Sequence, residues 1–373
     1  MAANEIAPLS HAARIDWLRL YRSENVGPAT FFRLVERFGS AGQALEALPA
    51  LVRRGGGRRS VTIAPKSAAE VELETLDRLG ARLIASVEPD FPAPLAVLET
   101  TPLLTVRGDP GLLKRDAVGV VGARNASAAG RRIAQTLAAE LAGSGLVVVS
   151  GLARGIDAAA HSGALDGGTI AVLAGGVDVV YPPENRALYQ RICADGCIVS
   201  EMEPGLAPQA AHFPRRNRLI AGLSLGIVVV EAASRSGSLI TARLALEQGR
   251  EVFAVPGSPL DPRSEGPNSL IKQGALLVTS AADVVEAVGG MRSQTVAPPA
   301  APQPQPTDAP PADSEVAAAR RSIIDSLAAA PVAVDELLRQ CQLSPAVVSM
   351  VLLELELAGR LERHPGNQVS LHS

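Results

Sequence analysis

The segment Phe213-Pro-Arg-Arg-Asn-Arg-Leu-Ile-Ala-Gly222 leads into a short apolar run, Leu225-Gly-Ile-Val-Val-Val-Glu-Ala232, and then into Ser236-Gly-Ser-Leu-Ile-Thr-Ala242. The pattern predicts a helix, a strand, a loop and a second helix. The apolar run contains a single acid, Glu231, and such strands are buried on both faces of a parallel sheet. The loop that opens the second helix leaves backbone N–H groups without internal partners at the positive end of the helix dipole. This segment therefore predicts an anion site beside a parallel sheet.

Arginines crowd the first part of this segment. Arg215, Arg216 and Arg218 occupy three of four consecutive positions, with no acid among them. Such a cluster is usually only a solvated surface. Here the cluster and the loop at Ser236 fall on the carboxyl side of the predicted sheet, where doubly wound folds bind their ligands. The position of the cluster therefore favours a binding role.

The composition limits the kind of partner. The chain has 373 residues and a formal net charge of −3, so any contact with nucleic acid must come from a local patch. Its three cysteines, Cys193, Cys197 and Cys341, are too scattered for a disulfide framework, and no histidine lies near the first two to complete a metal site. No segment approaches the roughly 20 apolar residues of a membrane helix. We expect a cytoplasmic protein with no membrane contact, metal or cofactor.

Strands and helices alternate through the middle of the chain. From Ala117 to about Gly289, short apolar runs alternate with helical segments, which specifies a parallel sheet covered on both faces. The proline-rich segment 80–115 adds two short runs that are typical of edge strands. These patterns predict an α/β fold with a Rossmann-like, doubly wound and mainly parallel sheet over residues 80–290.

The two ends of the chain differ from this middle part. Residues 1–79 predict helices around a Gly27-Pro28 turn, as in a SAM-like or helix-hairpin-helix domain. In such hairpins the amides of the turn can hold a DNA phosphate, but the same pattern often serves packing alone. Seven prolines between 291 and 311 predict a semi-extended linker over 291–313. Residues 314–373 predict three helices and a two-stranded wing, which together form a winged-helix domain.

The charge of the predicted winged helix bears on its role. Residues 314–373 hold five arginines and seven acids, a balance of −2, and the third helix carries Glu354 and Glu356 toward its end. Such a surface is unfavourable for a phosphate backbone. We therefore expect this domain to contact protein or to serve a structural role rather than to read duplex DNA.

The glycine-containing turns exclude two nucleotide-binding classes. Val121-Gly-Ala-Arg-Asn125 lacks the Gly-x-Gly-x-x-Gly spacing of a dinucleotide site, and no acid closes the second strand at Val149-Ser-Gly151. The chain has no Gly-Lys pair and hence no Walker A loop. What remains is a set of strand-to-helix turns that can present amides to an anion, at 122–125, 151–155, 175–178 and 236–238. With the arginines they suit a ligand that carries phosphates in series, such as single-stranded nucleic acid.

Two further pairs of side chains allow alternative interpretations. Phe213 and Tyr181 are the aromatic residues nearest to the predicted site, and each could stack on a base or belong to the core. Asp157 and His161 stand four residues apart and could form a catalytic pair. Because no nucleophile accompanies them, we expect Asp157 to brace its helix and His161 to bond locally.

Six motifs together identify a family, and they are Val121–Arg124, Ser150–His161, Tyr181–Asn185, Phe213–Gly222, Ser236–Ala242 and Gly274-Ala275. The chain resembles the DprA/Smf family (DNA-processing protein A) over nearly all of its length. The resemblance implies a homodimer that binds and protects incoming single-stranded DNA in natural transformation and loads a RecA-type recombinase onto it, without catalysing a reaction. Family members commonly have Gly-Ser-Arg where this chain has Gly122-Ala123-Arg124, so one hydroxyl contact to phosphate is lost here.

We therefore predict a single-stranded DNA site on the carboxyl rim of the sheet, with no catalytic or metal-binding residue. We expect Arg124, Arg215 and Arg218 to converge there. Their burial in carboxylate pairs, or their location on separate surfaces, would count against the site. The candidate DNA-binding residues are Gly122, Ala123, Arg124, Asn125, Gly151, Arg154, Phe213, Arg215, Arg216, Asn217, Arg218, Ser236, Gly237 and Ser238.

Two alternative functions remain open from the sequence. The central part also resembles nucleoside-monophosphate phosphoribohydrolases, which have a Pro-Gly-Gly-x-Gly-Thr loop followed by a glutamate. At that loop this chain has Ser236–Ala242, with no carboxylate until Glu247, so the acid expected over the sugar is missing. The other alternative is a transcriptional regulator that acts through the winged helix, and the acidity of that domain disfavours it.

Overall fold

The computed structural model describes residues 8–57, 61–98, 100–294, 313–327, 330–364 and 366–372. The described residues form two compact units, one from residues 8–9 and 70–294 and the other from residues 10–69 and 313–372. Most of the linker predicted over 291–313 lies outside the described residues. Its first four residues, 291–294, belong to the helix Ala281–Gln294, and its last residue begins the helix Asp313–Ser326.

The chain is built from helices and strands whose bounds follow in chain order. The helices are α1 (His11–Arg22), α2 (Pro28–Phe38), α3 (Ala41–Arg54), α4 (Lys66–Arg78), α5 (Ala93–Ala96), α6 (Ala128–Gly143), α7 (Ile156–Ala164), α8 (Arg186–Asp195), α9 (His212–Leu223), α10 (Gly237–Glu247), α11 (Glu265–Lys272), α12 (Ala281–Gln294), α13 (Asp313–Ser326), α14 (Val334–Cys341) and α15 (Pro345–Leu357). The strands are β1 (Ala81–Ala85), β2 (Leu103–Gly108), β3 (Ala117–Val121), β4 (Val147–Ser150), β5 (Thr169–Val172), β6 (Cys197–Ser200), β7 (Gly226–Val229), β8 (Glu251–Ala254), β9 (Leu276–Leu277), β10 (Val332–Ala333), β11 (Leu361–His364) and β12 (Gln368–Leu371).

A nine-stranded sheet organises the described part of the larger unit. Its order is β1-β2-β6-β5-β4-β3-β7-β8-β9, with β1 antiparallel to β2, β2 antiparallel to β6 and every other pair parallel. Along β4, Val147 and Val149 pack into one apolar core and Val148 packs into the other, which shows that both faces are covered. The fold is α/β and Rossmann-like, as predicted.

The order of the strands places a crevice at one point of the sheet. From β3 the chain builds outward through β4, β5 and β6, and it then returns to lay β7, β8 and β9 on the other side of β3. Strands β3 and β7 pair in parallel, with Val121 beside Val229, so the loops that follow them leave the sheet in opposite directions at the same edge. Open α/β sheets bind ligands at such a switch point.

The smaller unit contains helices α1–α3 and the winged-helix domain. Phe31 of α2 sits edge-on against Trp17 and Tyr21 of α1, with ring centroids 5.0 and 6.0 Å apart. In the winged helix, α13, α14 and α15 are followed by β11 and β12, and β10 joins the antiparallel sheet beside β12. We predicted a two-stranded wing, and among the described residues the sheet has this third strand.

The two glutamates of α15 are not the surface charges that we expected. Glu354 is fully buried and accepts hydrogen bonds from Arg320 of α13. Glu356 is paired with Arg33 and Arg363 at 3.4 and 2.9 Å. Counting charges along the chain treats both acids as exposed, because their partners are remote in sequence.

Across the described ranges we find no helix with the length and apolar character needed to span a bilayer.

Candidate nucleic-acid interface

A cleft of about 830 Å³ opens at the switch point between β3 and β7. Its walls are formed by the loop after β3, the first turns of α9, and the loop that connects β7 to α10. Among the described residues its basic lining consists of Arg124, Arg216, Arg235 and Arg263, and its acidic lining of Asp157 and Asp261. The excess of arginine makes the cleft suitable for an anionic ligand.

The loop at 122–125 is fixed tightly to its surroundings. A Cβ on Gly122 would lie 2.6 Å from Ile156 Cγ1 and 2.9 Å from the Glu231 carbonyl oxygen, so the turn fits between α7 and the loop after β7 only as glycine. Ser127, the N-cap of α6, donates to the Glu231 carboxylate from both its backbone N–H (2.9 Å) and its hydroxyl (2.6 Å). Glu231 therefore anchors the loop that carries Arg124 into the cleft.

The opposite wall is the N-terminus of α10. Ser236 caps the helix by accepting from the Ser238 N–H at 3.4 Å, and the two hydroxyls lie 2.7 Å apart. Asn217 of α9 donates to the Gly237 carbonyl at 3.4 Å and so ties this turn to the neighbouring helix. Ser236, Gly237 and Ser238 line the cleft, so the positive end of the 11-residue helix lies against it, as expected for an anion-binding wall.

Phe213 and two guanidinium groups stack between these walls, and Tyr181 lies beside Phe213 in a small adjoining pocket. The Arg124 guanidinium carbon lies 5.0 Å from the Phe213 ring centroid, and that of Arg216 lies 5.9 Å from it. The Tyr181 ring is 6.0 Å from the Phe213 ring at an interplanar angle of 58°. Tyr181 is 47% exposed, so it is not a core residue, which was one of the two interpretations left open. A base entering here would meet planar groups of both kinds.

Arg216 forms the floor of the cleft and is only 6% exposed. Its Nη1 donates to the Val172 carbonyl at 3.4 Å, and its guanidinium fills the space in which Gly151 lacks a side chain, because a Cβ there would overlap it. Burial lowers the Arg216 pKa, and the Asp157 charge opposes that effect. Arg216 is therefore a buried cation that faces the cleft from below.

Asp157 braces the loops, as we expected. Its carboxylate accepts from the backbone N–H groups of Gly151 (3.2 Å), Ala153 (3.4 Å) and Gly122. Burial raises its pKa, and the charge of Arg216 acts in the opposite direction. One consequence contradicts the sequence analysis: the amides of 151–153 are taken up inside the fold and do not face an anion.

His161 bonds locally, again as expected. Thr169 Oγ1 donates to the Val148 carbonyl (2.8 Å), so it accepts from His161 Nδ1 (2.7 Å), and Nε2 accepts from the Leu152 N–H (3.3 Å). Both ring nitrogens are satisfied only in the neutral form. Burial, together with the Arg216 charge, lowers the His161 pKa to about 3.

This histidine predicts a pH effect on stability. Since the unfolded chain protonates His161 near its ordinary pKa of about 6.5, the stabilisation is complete above that pH and is lost as pH falls toward 3, by about 1.4 kcal/mol per pH unit. Asp157 acts with the opposite sign because burial raises its pKa. Measuring unfolding free energies of the wild type and His161→Gln at each pH cancels that second effect. We expect the difference to shrink by about 2 kcal/mol between pH 6.5 and pH 5; a constant difference would show that His161 titrates normally.

The structure divides the predicted arginines into different environments. Arg124 and Arg216 come together in the cleft, and Arg154 is exposed beside it, paired with Glu184 at 3.4 Å. Arg215 is exposed but is not among the described cleft residues. Our expectation that Arg124, Arg215 and Arg218 converge is therefore wrong.

Arg218 is the clearest exception. Its side chain is 15% exposed, it pairs with the nearly buried carboxylate of Glu201, and it donates to Thr101 Oγ1 at 2.7 Å. Arg218 is thus buried in a carboxylate pair, which counts against its role in the predicted DNA site. Arg218 therefore stabilises the packing of α9. Other arginines must bind the phosphates of the expected ligand.

Three contributors to the cleft were missed in the sequence. Arg235 and Arg263 line it, the latter held by Asp261 at 2.9 Å, and Glu231 fixes the 122–125 loop from behind. The single acid in an apolar strand was a signal for Glu231. Arg235 stands next to the predicted turn at 236–238, whereas Arg263 comes from a loop after β8 that carried no recognisable motif.

Comparison with protein families and curated proteins gives consistent matches along the chain. A family model described as "DNA recombination-mediator protein A" matches residues 82–289, a "DprA-like N-terminal HHH domain" matches 11–75, and a "DprA winged helix domain" matches 298–367. The chain is 40% identical to Protein Smf of Escherichia coli over 313 residues, which cover 82% of each protein. It is 46% identical to DNA processing protein DprA of Bacillus subtilis over 194 residues, covering 51% of this chain and 65% of that protein, just under two thirds.

Solved structures agree with these sequence matches. DNA processing protein A from Streptococcus pneumoniae superimposes with a TM-score of 0.62 at 36% identity, covering 75% of this chain and 98% of that one. DNA processing protein A from Helicobacter pylori, whose structure concerns its single-stranded DNA binding mode, gives a TM-score of 0.52 at 30% identity over 57% of this chain and 96% of that one. The recombination-mediator model spans more than half of the residues, and its description is that of a mediator rather than an enzyme. The chain belongs to the DprA/Smf family of DNA recombination-mediator proteins.

Proposed function

We propose that this chain binds single-stranded DNA in the cleft between β3 and β7 and, as a homodimer, protects that DNA and loads a RecA-type recombinase onto it in natural transformation. The observation that carries the proposal is the stack of Arg124, Phe213 and Arg216 opposite the N-terminus of α10. Membership of a family of recombination mediators supports it, as does the single-stranded DNA binding mode of the relative from Helicobacter pylori.

The chemistry of the cleft suits a single strand better than a duplex. Exposed Arg124 and Arg235 can pair with successive phosphates beside the positive end of α10. Phe213 and Tyr181 offer rings to unpaired bases, whose faces are accessible only when they are not enclosed in a double helix. The candidate residues Ala123, Asn125, Asn217 and Ser236–Ser238 line the same cleft and would contact the strand between these groups.

The cleft does not favour the alternative of a phosphoribohydrolase. Of the carboxylates that line it among the described residues, Asp157 holds backbone N–H groups and Asp261 holds Arg263. Neither is available as the acid that would act on a sugar.

Ultraviolet cross-linking of the full chain to a single-stranded oligonucleotide, followed by mass spectrometry, tests where the strand lies. We expect cross-links on the peptides that contain Phe213 and Tyr181. Cross-links confined to the smaller unit, with none on these two peptides, would contradict the proposed site.

Tyr181 provides a prediction about base stacking. Replacing it by alanine removes an exposed ring beside Phe213, and we expect the free energy of single-stranded DNA binding to weaken by about 1–2 kcal/mol. Tyr181→Phe keeps the ring and should bind nearly as the wild type does. Fluorescence anisotropy with a labelled oligonucleotide measures all three proteins. Equal losses in the alanine and phenylalanine variants would mean that the hydroxyl, not stacking, contributes.

A further inference from the structure

Helix α15 is the third helix of the winged-helix domain, the position of the recognition helix that enters the DNA major groove in helix-turn-helix proteins. In this chain the helix is enclosed on nearly every side. From Val347 to Leu357 every residue is buried apart from exposed Ser349 and partly buried Glu356. A helix that is apolar all round is built for burial rather than for a polar groove.

Part of that enclosure comes from the N-terminal helices, which belong to the same compact unit. Asn25, in the turn before α2, donates from Nδ2 to the Leu357 carbonyl at 3.0 Å and so satisfies a carbonyl at the C-terminal end of α15. Arg360 donates from Nη1 to the Gly55 carbonyl at the end of α3, at 3.1 Å. Each contact pairs a side chain with the end of a helix across more than 300 residues of sequence.

Glu356 is the charged centre of the contact. Its carboxylate accepts from Thr30 Oγ1 at 2.7 Å and pairs with Arg33 of α2 and Arg363 of β11. Thr30 lies in the first turn of α2, the positive end of the helix after the Gly27-Pro28 turn. A carboxylate from the winged helix is therefore bound at the first turn of α2, directly after the Gly27-Pro28 turn.

Gly55 shows how closely the two parts approach. It has φ −67° and ψ −4°, ordinary right-handed values that any residue adopts, so its backbone does not require glycine. A Cβ at this position would overlap the Glu354 carbonyl oxygen and lie 2.9 Å from Ala358 Cβ. The absence of a side chain at residue 55 therefore serves the contact with α15.

We infer that the winged helix is a docking domain whose partner is the N-terminal helical domain of the same chain. The third helix is used to hold that domain and not to read duplex DNA. This assignment gives each acid of α15 a role. Glu354 binds Arg320 inside the winged-helix domain, and Glu356 binds Thr30 and Arg33 of α2. The contact joins helices α2 and α3 to the winged helix within the smaller unit.

Cleavage of the full chain tests the inference. A protease recognition sequence is inserted into the proline-rich segment 297–311, the purified protein is cut, and size-exclusion chromatography shows whether the fragment carrying the winged helix remains bound. We expect the wild-type fragments to elute together, and to do so in the presence of excess duplex DNA. Gly55→Ala and Glu356→Gln should each weaken the association at least about tenfold, by steric overlap and by leaving Arg33 and Arg363 without their acid.

The matched control is Gly27→Ala, since a Cβ at residue 27 would meet no atom within 4 Å. That variant should behave as the wild type does. Immediate separation of the wild-type fragments, release of the winged helix by duplex DNA, or unchanged association in both Gly55→Ala and Glu356→Gln would overturn the inference.

Discussion

Replacing Arg216 by alanine is expected to reduce the free energy of unfolding by about 2–5 kcal/mol, because it truncates a long side chain that is only 6% exposed inside the fold. The same change leaves a cavity beside Gly151 and removes one of the two guanidinium groups that stack on Phe213. Urea denaturation followed by circular dichroism measures the loss.

The adjacent arginine provides the control for this prediction. Arg215 precedes Arg216 on α9 but is exposed, so Arg215→Ala should change stability by no more than about 0.5 kcal/mol. Gly151→Ala should resemble Arg216→Ala, since its methyl group would displace the same guanidinium. If Arg216→Ala proved as stable as Arg215→Ala, the floor of the cleft would not be held as we describe.

The second large effect concerns single-stranded DNA. We expect the double variant Arg124→Ala/Arg235→Ala to bind about 100-fold more weakly than the wild type, because each exposed guanidinium can form a charged hydrogen bond with phosphate worth about 1.5 kcal/mol or more. The slope of log K against log salt should fall in magnitude by about 1.4, since two fewer phosphates are neutralised.

Arg243 supplies the matched control for this double variant. Arg243 lies on α10, the helix whose N-terminus forms one wall of the cleft, but it is not among the described cleft residues. Its side chain is 70% exposed and is paired with Glu247. Arg243→Ala should keep the wild-type affinity and salt slope. A loss of affinity equal in all variants would point to a diffuse charge effect instead of a defined site.

The sequence predicted the position of the site better than the direction of its side chains. Apolar runs of strand length and the turns that follow them indicated a switch-point cleft, and Arg124, Phe213, Asn217 and Ser236 line it. Successive residues on a helix, however, turn by about 100°, so three arginines within four positions cannot all face one cleft. Arg216 faces it, whereas Arg215 and Arg218 do not.

Long-range pairing explains the other differences. Arg218 finds its acid in Glu201, 17 residues away, and Glu356 finds Arg33 across 323 residues. Local sequence patterns do not reveal partners this far apart. A count of charges along the sequence therefore treats Arg218 and Glu356 as exposed. The expectation that the winged helix has a structural role stays a prediction, but the reason changes: its acids are engaged inside the smaller unit instead of repelling phosphate.

The most direct test of the proposed function compares the affinity of the full chain for single-stranded and duplex oligonucleotides of equal length across a range of salt concentrations. Our account predicts tighter binding of the single strand at every salt concentration, because only unpaired bases can reach Phe213 and Tyr181. Equal or tighter binding of the duplex would contradict it.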